Sequence, residues 1–242
     1  MRVRIAVLSD IHSNWPALEA VLEDLAGVAG VEQVLCLGDV VGYGADPVRC
    51  LDQVRESGWP SLVGNHDRAC TDPSVLGWFN SDAAAAVRWT VAQLDEERLG
   101  WLRDLPERDD LSNASLVHGS LRDPIYEYIL DAETALENLR LAGERACFHG
   151  HTHVPGVFQV EDGRLGHGYQ VGSMSVDPPA LVNPGSVGQP RDGQPDASYG
   201  IWDPEDSRFE FRRVPYDRER AKRAILEAGL PPRLALRLDF GR

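Results

Sequence analysis

Five apolar runs along this chain each stop abruptly at Asp, Asn or His. The first, "VRIAVLSD" (3–10), is hydrophobic through Leu8 and polar from Ser9, the pattern of a buried strand that ends at an active edge. "VEQVLCLGD" (31–39), "PSLVGNHD" (60–67), "ASLVHGS" (114–120) and "ERACFHGHTH" (144–153) repeat it. Between the first runs lie helical patterns. Asn14 and Pro16 open one that carries Leu18, Val21, Leu22 and Leu25, and Asp46 and Pro47 open another through about Ser57. Strand alternating with helix predicts an α/β fold.

Residues 68 to about 110 change character. "DAAAAVRWTVAQLDEERLGWLRDL" reads as helix without a strand-like segment, either a cap over a site or helices packed outside the sheet. Gly and Pro punctuate 168–190, predicting short antiparallel strands and loops, and "SYGIWD" with "RFEFRRV" predicts a closing hairpin. A helical tail from Arg218 runs to the break at Gly229-Leu230-Pro231-Pro232, and the segment "AILEAGLPPRLALRL" could cover the pocket, join a dimer or pack on the sheet, packing being the default for its apolar face. No repeat or long linker interrupts the chain, so 1–242 is expected to form one domain with a helical cap at about 68–110.

Composition narrows the class. The 242 residues are 43% hydrophobic and 26% charged, ordinary for a water-soluble globular protein. No run reaches the roughly 20 apolar residues that cross a bilayer, and the N-terminus lacks the features of a secretory signal. With 24 Lys and Arg against 38 Asp and Glu the net charge is −14, which argues against bulk nucleic-acid binding. Cys36, Cys50, Cys70 and Cys147 are scattered without a CxxC pair, so reduced thiols and a cytoplasmic location are expected.

Six of the seven histidines fall in the five polar tips, and only His167 does not. That clustering points to a metal centre. Asp10 and His12 can reach one pocket, and the two oxygens of Asp39 can bridge two cations. Asn65 offers a carbonyl oxygen, and His118, His151 and His153 offer imidazoles. Mixed oxygen and nitrogen donors without thiolate suit two divalent transition-metal ions, Mn foremost, with Fe, Zn, Ni or Co also fitting.

These blocks resemble the calcineurin-like metallophosphoesterases, whose signature is D-x-H, G-D, G-N-H-[DE], a lone His and G-H-x-H. "NPGSVGQPR" (183–191) is similar to the small bacterial and archaeal branch of that family. The resemblance implies a four-layer αββα sandwich of two mixed β-sheets flanked by helices. It also implies one metal on Asp10, His12, Asp39 and His153, and a second on Asp39, Asn65, His118 and His151. His66 would contact phosphate and protonate the leaving oxygen while a metal-bridging hydroxide attacks phosphorus, and Asp67 would orient the His66 ring. His149 falls outside the pattern and is expected at a strand end or behind the ligands.

The chain departs from the serine/threonine phosphatases and symmetrical dinucleoside tetraphosphatases. "GDVVGYG" has Gly42 and Tyr43 where those carry Asp-Arg, and "GNHD" replaces GNHE. The missing phosphate-gripping cation is sought at Arg68, Arg122 or Arg191, and Tyr43, Tyr126 or Tyr128 could line the pocket or stack on a base. The expected activity is phosphodiester hydrolysis on a small, nucleotide-like phosphoester, with monoesters as further substrates and a homo-oligomer allowed. Phosphoanhydride hydrolysis, protein phosphatase activity and a non-enzymatic scaffold, as in a eukaryotic sorting-complex subunit of this fold, stand as alternatives.

Overall fold

The apolar runs are the strands of two mixed sheets. The computed structural model describes residues 4–111 and 113–242, so Val3 of the first predicted strand lies outside the described residues. The first half contains β1 (Arg4–Leu8), α1 (Trp15–Ala26), β2 (Val31–Cys36), α2 (Pro47–Glu56), α3 (Asn65–Thr71), α4 (Ser81–Gln93) and α5 (Glu96–Asp104). Then come β3 (Arg108–Asp110), β4 (Ala114–Val117), α6 (Ala132–Ala142) and β5 (Ala146–Phe148). The remainder is β6 (Gly156–Glu161), β7 (Arg164–Gly168), β8 (Gly172–Ser175), β9 (Ala180–Asn183), β10 (Ala197–Asp203), β11 (Arg208–Val214), α7 (Arg218–Glu227) and α8 (Pro232–Leu236).

One sheet has the order β2-β1-β10-β11-β8 and the other β3-β4-β5-β9-β6-β7. Period-two alternation sorts their side chains. Ile5 and Val7 of β1 face between the sheets with Phe148, Val182, Trp202, Phe209 and Phe211. Ala6 and Leu8 face the other way, onto Leu18 and Val21 of α1 and Leu51 and Val54 of α2. On the far side, Val117, Cys147 and Leu181 meet Ala135 and Leu139 of α6. The result is helix, sheet, sheet, helix, the predicted four-layer sandwich. Gly200 is required between the sheets, because a Cβ there would lie 2.0 Å from the Phe209 ring. No helix among the described residues is long and apolar enough to cross a membrane.

Local signals set most boundaries. Asn14 caps α1 by accepting from the Ala17 amide, and Pro47 starts α2. β10 and β11 form the predicted hairpin. Other expectations need correction. The strand read over 60–67 is only a bridge between Cys36 and Ser61, because Pro60 has no N–H to donate and α3 begins at Asn65. A three-residue edge strand, β3, closes the stretch expected to be wholly helical. β9 pairs parallel with β5, so the 168–190 region is not purely antiparallel. The tail resumes as α8 beyond the proline pair, which sits where a helix accepts proline.

Candidate metal centre

Parallel pairing of β1 with β2, and of β4 with β5, brings the C-terminal ends of these strands to one edge. Asp10, Asp39, His118, His151 and His153 follow those ends directly. Asn65 and His66 arrive at the start of α3, whose first amides face the same edge. The backbone turns sharply there. Asp10, His12, Ser13, Asp39, Tyr43, His151 and His153 all take left-handed φ values between 49° and 64°, a region that side-chain-bearing residues rarely occupy.

Two groups of donors result. Atoms of Asp10, His12, Asp39 and His153 lie within 4.8 Å of one another, as do atoms of Asp39, His118 and His151, and all six residues are buried. Asp39 Oδ2 is 3.5 Å from both His12 Nε2 and His118 Nε2, so one carboxylate oxygen serves both groups. Asn65 Oδ1 stands 3.2 Å from His118 Nε2.

The outer hydrogen bonds define the tautomers. His12 Nδ1 donates to the Val41 carbonyl at 3.1 Å, and His153 Nδ1 to that of Gln189 at 2.6 Å. His118 Nδ1 donates to the Leu37 carbonyl at 3.0 Å, and His151 Nε2 to that of Tyr126 at 3.2 Å. A carbonyl cannot donate, so each proton sits on the outer nitrogen and the inner nitrogen carries a lone pair. Those lone pairs face each other, at 3.1 Å for His12 and His153 and 3.2 Å for His118 and His151. Carboxylates add more negative charge, and Asp10 Oδ1 is buried with no hydrogen-bond donor. Such an arrangement repels itself unless cationic charge lies between the donors, so the residues fit bound metal.

Charge states agree with that fit. Burial depresses the imidazoles of His12 and His151 well below the usual range, and burial with the nearby Arg191 charge holds His153 at about 4. Neutral imidazole is the ligating form. Burial, then the Asp67 and Asp10 carboxylates, push Asp39 well above the ordinary carboxylate range.

His66 lies at the rim, its ring 4.8 Å from that of His12, 4.3 Å from Tyr43 and 4.9 Å from Phe79. Its main-chain N–H donates to Asp39 Oδ1 at 2.8 Å. Gly42, with φ of 93°, covers the Nδ1 edge, where a Cβ would come within 2.4 Å. Asp67 does not touch the His66 ring. Its carboxylate accepts from the amides of Val40 (3.2 Å), Val41 (3.1 Å) and Gly64 (3.1 Å), tying the Asp39 loop to the start of α3. The orienting role expected for Asp67 is therefore replaced by a bracing one, because three amides claim both of its oxygens.

Of the three candidate arginines, Arg68 pairs with Glu107 and Arg122 with Glu127 and Glu137. Their forks are committed to carboxylates. Arg191 reaches the site, with Nη2 3.4 Å from the Tyr43 hydroxyl and 2.9 Å from Gln189 Oε1. Tyr128 stacks on His151 at 3.7 Å, and Tyr126 supplies the carbonyl already described. His149 follows β5, beside Asn183 and behind the ligands.

Several contributors escaped sequence reasoning. Asn183 Nδ2 donates to the Gly150 carbonyl and Thr152 Oγ1, pinning the HTH loop. Ser186 Oγ donates to the Asp10 carbonyl at 2.8 Å. The NPGS resemblance marked both residues without saying what they hold. Arg237, whose guanidinium lies 5.7 Å from the Tyr43 ring, had no local signal at all.

Residues 3–207 match the calcineurin-like phosphoesterase superfamily domain. The chain belongs to that superfamily. As a calcineurin-like phosphoesterase it is a hydrolase of phosphoric esters, in a family that depends on metal ions. An uncharacterised protein of Methanocaldococcus jannaschii is 39% identical over 243 residues, 98% of each chain. Phosphodiesterase YfcE of Escherichia coli K12 is 27% identical over 212 residues, 83% of this chain and 88% of its own. A crystal structure of a metallophosphoesterase from Sphaerobacter thermophilus superposes with a TM-score of 0.87 at 41% identity, covering 100% of both chains.

Proposed function

We propose that this calcineurin-like phosphoesterase is a two-metal phosphodiesterase acting on a small phosphoester. One observation carries the reading. Four imidazole lone pairs and the Asp10 and Asp39 carboxylates converge in two groups that share Asp39 Oδ2. One ion would be held by Asp10, His12, Asp39 and His153, the other by Asp39, Asn65, His118 and His151. When bound, two divalent transition-metal ions, Mn foremost, supply a water ionised near neutral pH and neutralise charge developing on the phosphoryl group.

The chain's own residues do the rest. Burial and the Arg191 charge hold the His66 pKa well below the usual range, so with its Nδ1 edge against Gly42 the ring takes up a proton from solvent as the anionic phosphoester binds and passes it from Nε2 to the leaving oxygen. Arg191 binds a non-bridging phosphoryl oxygen through its fork. Phe79, edge-on to His66, excludes water from that side, so residues 68–110 act as the cap of a single domain. The diester preference draws on the E. coli relative's name. Four free, buried cysteines fit a reducing cytoplasm.

The test is metal content by mass spectrometry beside hydrolysis of bis(p-nitrophenyl) phosphate and p-nitrophenyl phosphate. Two equivalents of metal per chain and metal-dependent cleavage favouring the diester are expected. One equivalent at saturation, or a preference for the monoester, refutes the reading.

A further inference from the structure

Beside the proposed metal pair lies more positive charge than the one phosphoryl group cleaved there engages. Arg191 and Arg237 are both half-buried, and each guanidinium carbon lies 5.7 Å from the centre of the Tyr43 ring. The Tyr43 ring in turn is 4.7 Å from that of His12 and 4.3 Å from that of His66. Most arginines of this acidic chain are paired with a carboxylate side chain, Arg68 and Arg122 among them. These two are not. Arg191 bonds the Tyr43 hydroxyl and Gln189 Oε1, both neutral, and its Nε is buried without a partner. Arg237 Nε donates to a main-chain oxygen of Arg242, which is part of a carboxylate where the chain ends there, and no carboxylate side chain pairs with it. Burial and the nearby Arg191 charge lower the pKa of Arg237.

Two guanidiniums held at one tyrosine offer more N–H donors than one phosphoryl group at the metals can take. We propose that Arg237, beside the Arg191 that grips the cleaved group, forms a second anion site, and that the substrate carries a further phosphoryl group adjacent to the one that is cleaved. The class is a diphosphate- or polyphosphate-bearing ester. This rests on the reading that the Asp and His cluster holds the reacting phosphoryl group. Arg237 would be the specificity-determining residue. It belongs to the turn Arg237–Asp239 that follows α8, outside the 3–207 stretch matched to the superfamily. α7 and α8 pack beside Tyr43 through Ala221, Ile225 and Leu234, and the turn's own Leu238 joins them, which fixes where that turn ends up.

The experiment is calorimetric titration of the Mn²⁺-loaded chain with ADP and with AMP, which share a nucleoside and differ by one phosphoryl group. Wild type should bind ADP about ten-fold or more tightly than AMP. Arg237→Gln should erase that preference while leaving AMP affinity within about two-fold, and Arg237→Lys, which keeps charge without the fork, should fall between. Should Arg237→Gln melt early, the lysine variant and the wild-type ADP/AMP ratio still decide. Equal wild-type affinity for ADP and AMP, or an Arg237→Gln variant that keeps the preference, overturns the proposal. Because binding is read without turnover, a chain that prefers ADP through Arg237 yet cleaves no phosphoester refutes the hydrolytic reading and not this site. One that cleaves diesters without preferring ADP does the reverse.

Discussion

Asp67→Asn separates two ways of understanding the GNHD block. If Asp67 oriented the His66 ring, the amide would alter turnover and leave the rest of the protein intact. The hydrogen bonds predict otherwise. Asp67 is fully buried and accepts three amide N–H bonds, one at Oδ1 from Val41 and two at Oδ2 from Val40 and Gly64. Asparagine keeps one carbonyl oxygen and presents an NH₂ where the other was, so at least one amide faces a donor. Losing one charge-assisted bond and leaving a buried N–H unsatisfied costs about 3 kcal/mol together. For a chain of this size each kcal/mol lowers Tm by about 2–4 °C, so a drop of about 6–12 °C is expected.

The same change loosens the loop that carries Asp39, whose Oδ1 is fixed by the His66 amide. Metal affinity should therefore fall along with Tm. The assay is thermal unfolding followed by circular dichroism, with and without Mn²⁺, beside a metal titration. A variant that melts within about 2 °C of wild type, binds metal normally and loses only turnover would refute the bracing role.

Three further outcomes follow from individual contacts. His66→Ala should keep both metals, measured by mass spectrometry, and lose about 10²–10⁴ in kcat on the diester. Gly42→Ala places a Cβ 2.4 Å from His66 Nδ1 at a φ of 93°. It should cost about 1–3 kcal/mol of overpacking by thermal melt and lower kcat with metal content unchanged. Asp24 accepts from Arg212 Nε (2.8 Å) and Nη2 (2.9 Å) and from the Tyr199 hydroxyl (2.6 Å). Arg212 first, and Tyr199 after it against the opposing effect of burial, depresses its pKa. A depressed carboxylate stabilises above its unfolded pKa near 3.9 and loses that stabilisation as pH falls through the folded value. Asp24→Asn should therefore melt several degrees lower than wild type at pH 7, and the gap should close as pH falls below about 4, which melts across pH will show.

What could be read in advance and what could not divide along a physical line. Candidate ligands announce themselves, since Asp and His at the ends of apolar runs have few other reasons to be there. The partners that fix their tautomers do not. Val41, Gln189, Leu37 and Tyr126 act through main-chain carbonyls, which every residue owns, so no residue type marks them. Asp67 departs from expectation because adjacency in sequence to His66 suggests contact, whereas α3 turns its carboxylate back onto the Asp39 loop. Arg237 was invisible because only tertiary packing carries the C-terminal turn to Tyr43. The β6–β7 hairpin is different. Its turn, Asp162-Gly163, has positive φ at both residues, and Asp-Gly between apolar runs is a recognised hairpin signal.

The left-handed residues complete the account of the site. Nine non-glycine residues among those described have positive φ, and only Asp162 and Ser207 lie away from the metal-site loops, in hairpin turns. Each such conformation costs on the order of 1 kcal/mol or more, so local preference works against the geometry that aims Asp10, His12, Asp39, His151 and His153 inward. The opposing force comes from loop-to-loop hydrogen bonds. The Asp10 amide donates to the Gly38 carbonyl, the His12 amide to that of Asp39 and the Ser13 amide to that of Val40. Gly188 N and Ser186 Oγ both donate to the Asp10 carbonyl. The close approach of Gly188 explains its lack of a side chain, since a Cβ would fall 1.9 Å from the Ile11 carbonyl oxygen. The ligands are thus held by one another's loops and by the NPGS segment, rather than by the strands they follow. Strain is stored where the candidate ligands are, and it is maintained by the ligand-bearing loops bonding one another and by the NPGS segment, which contributes no ligand.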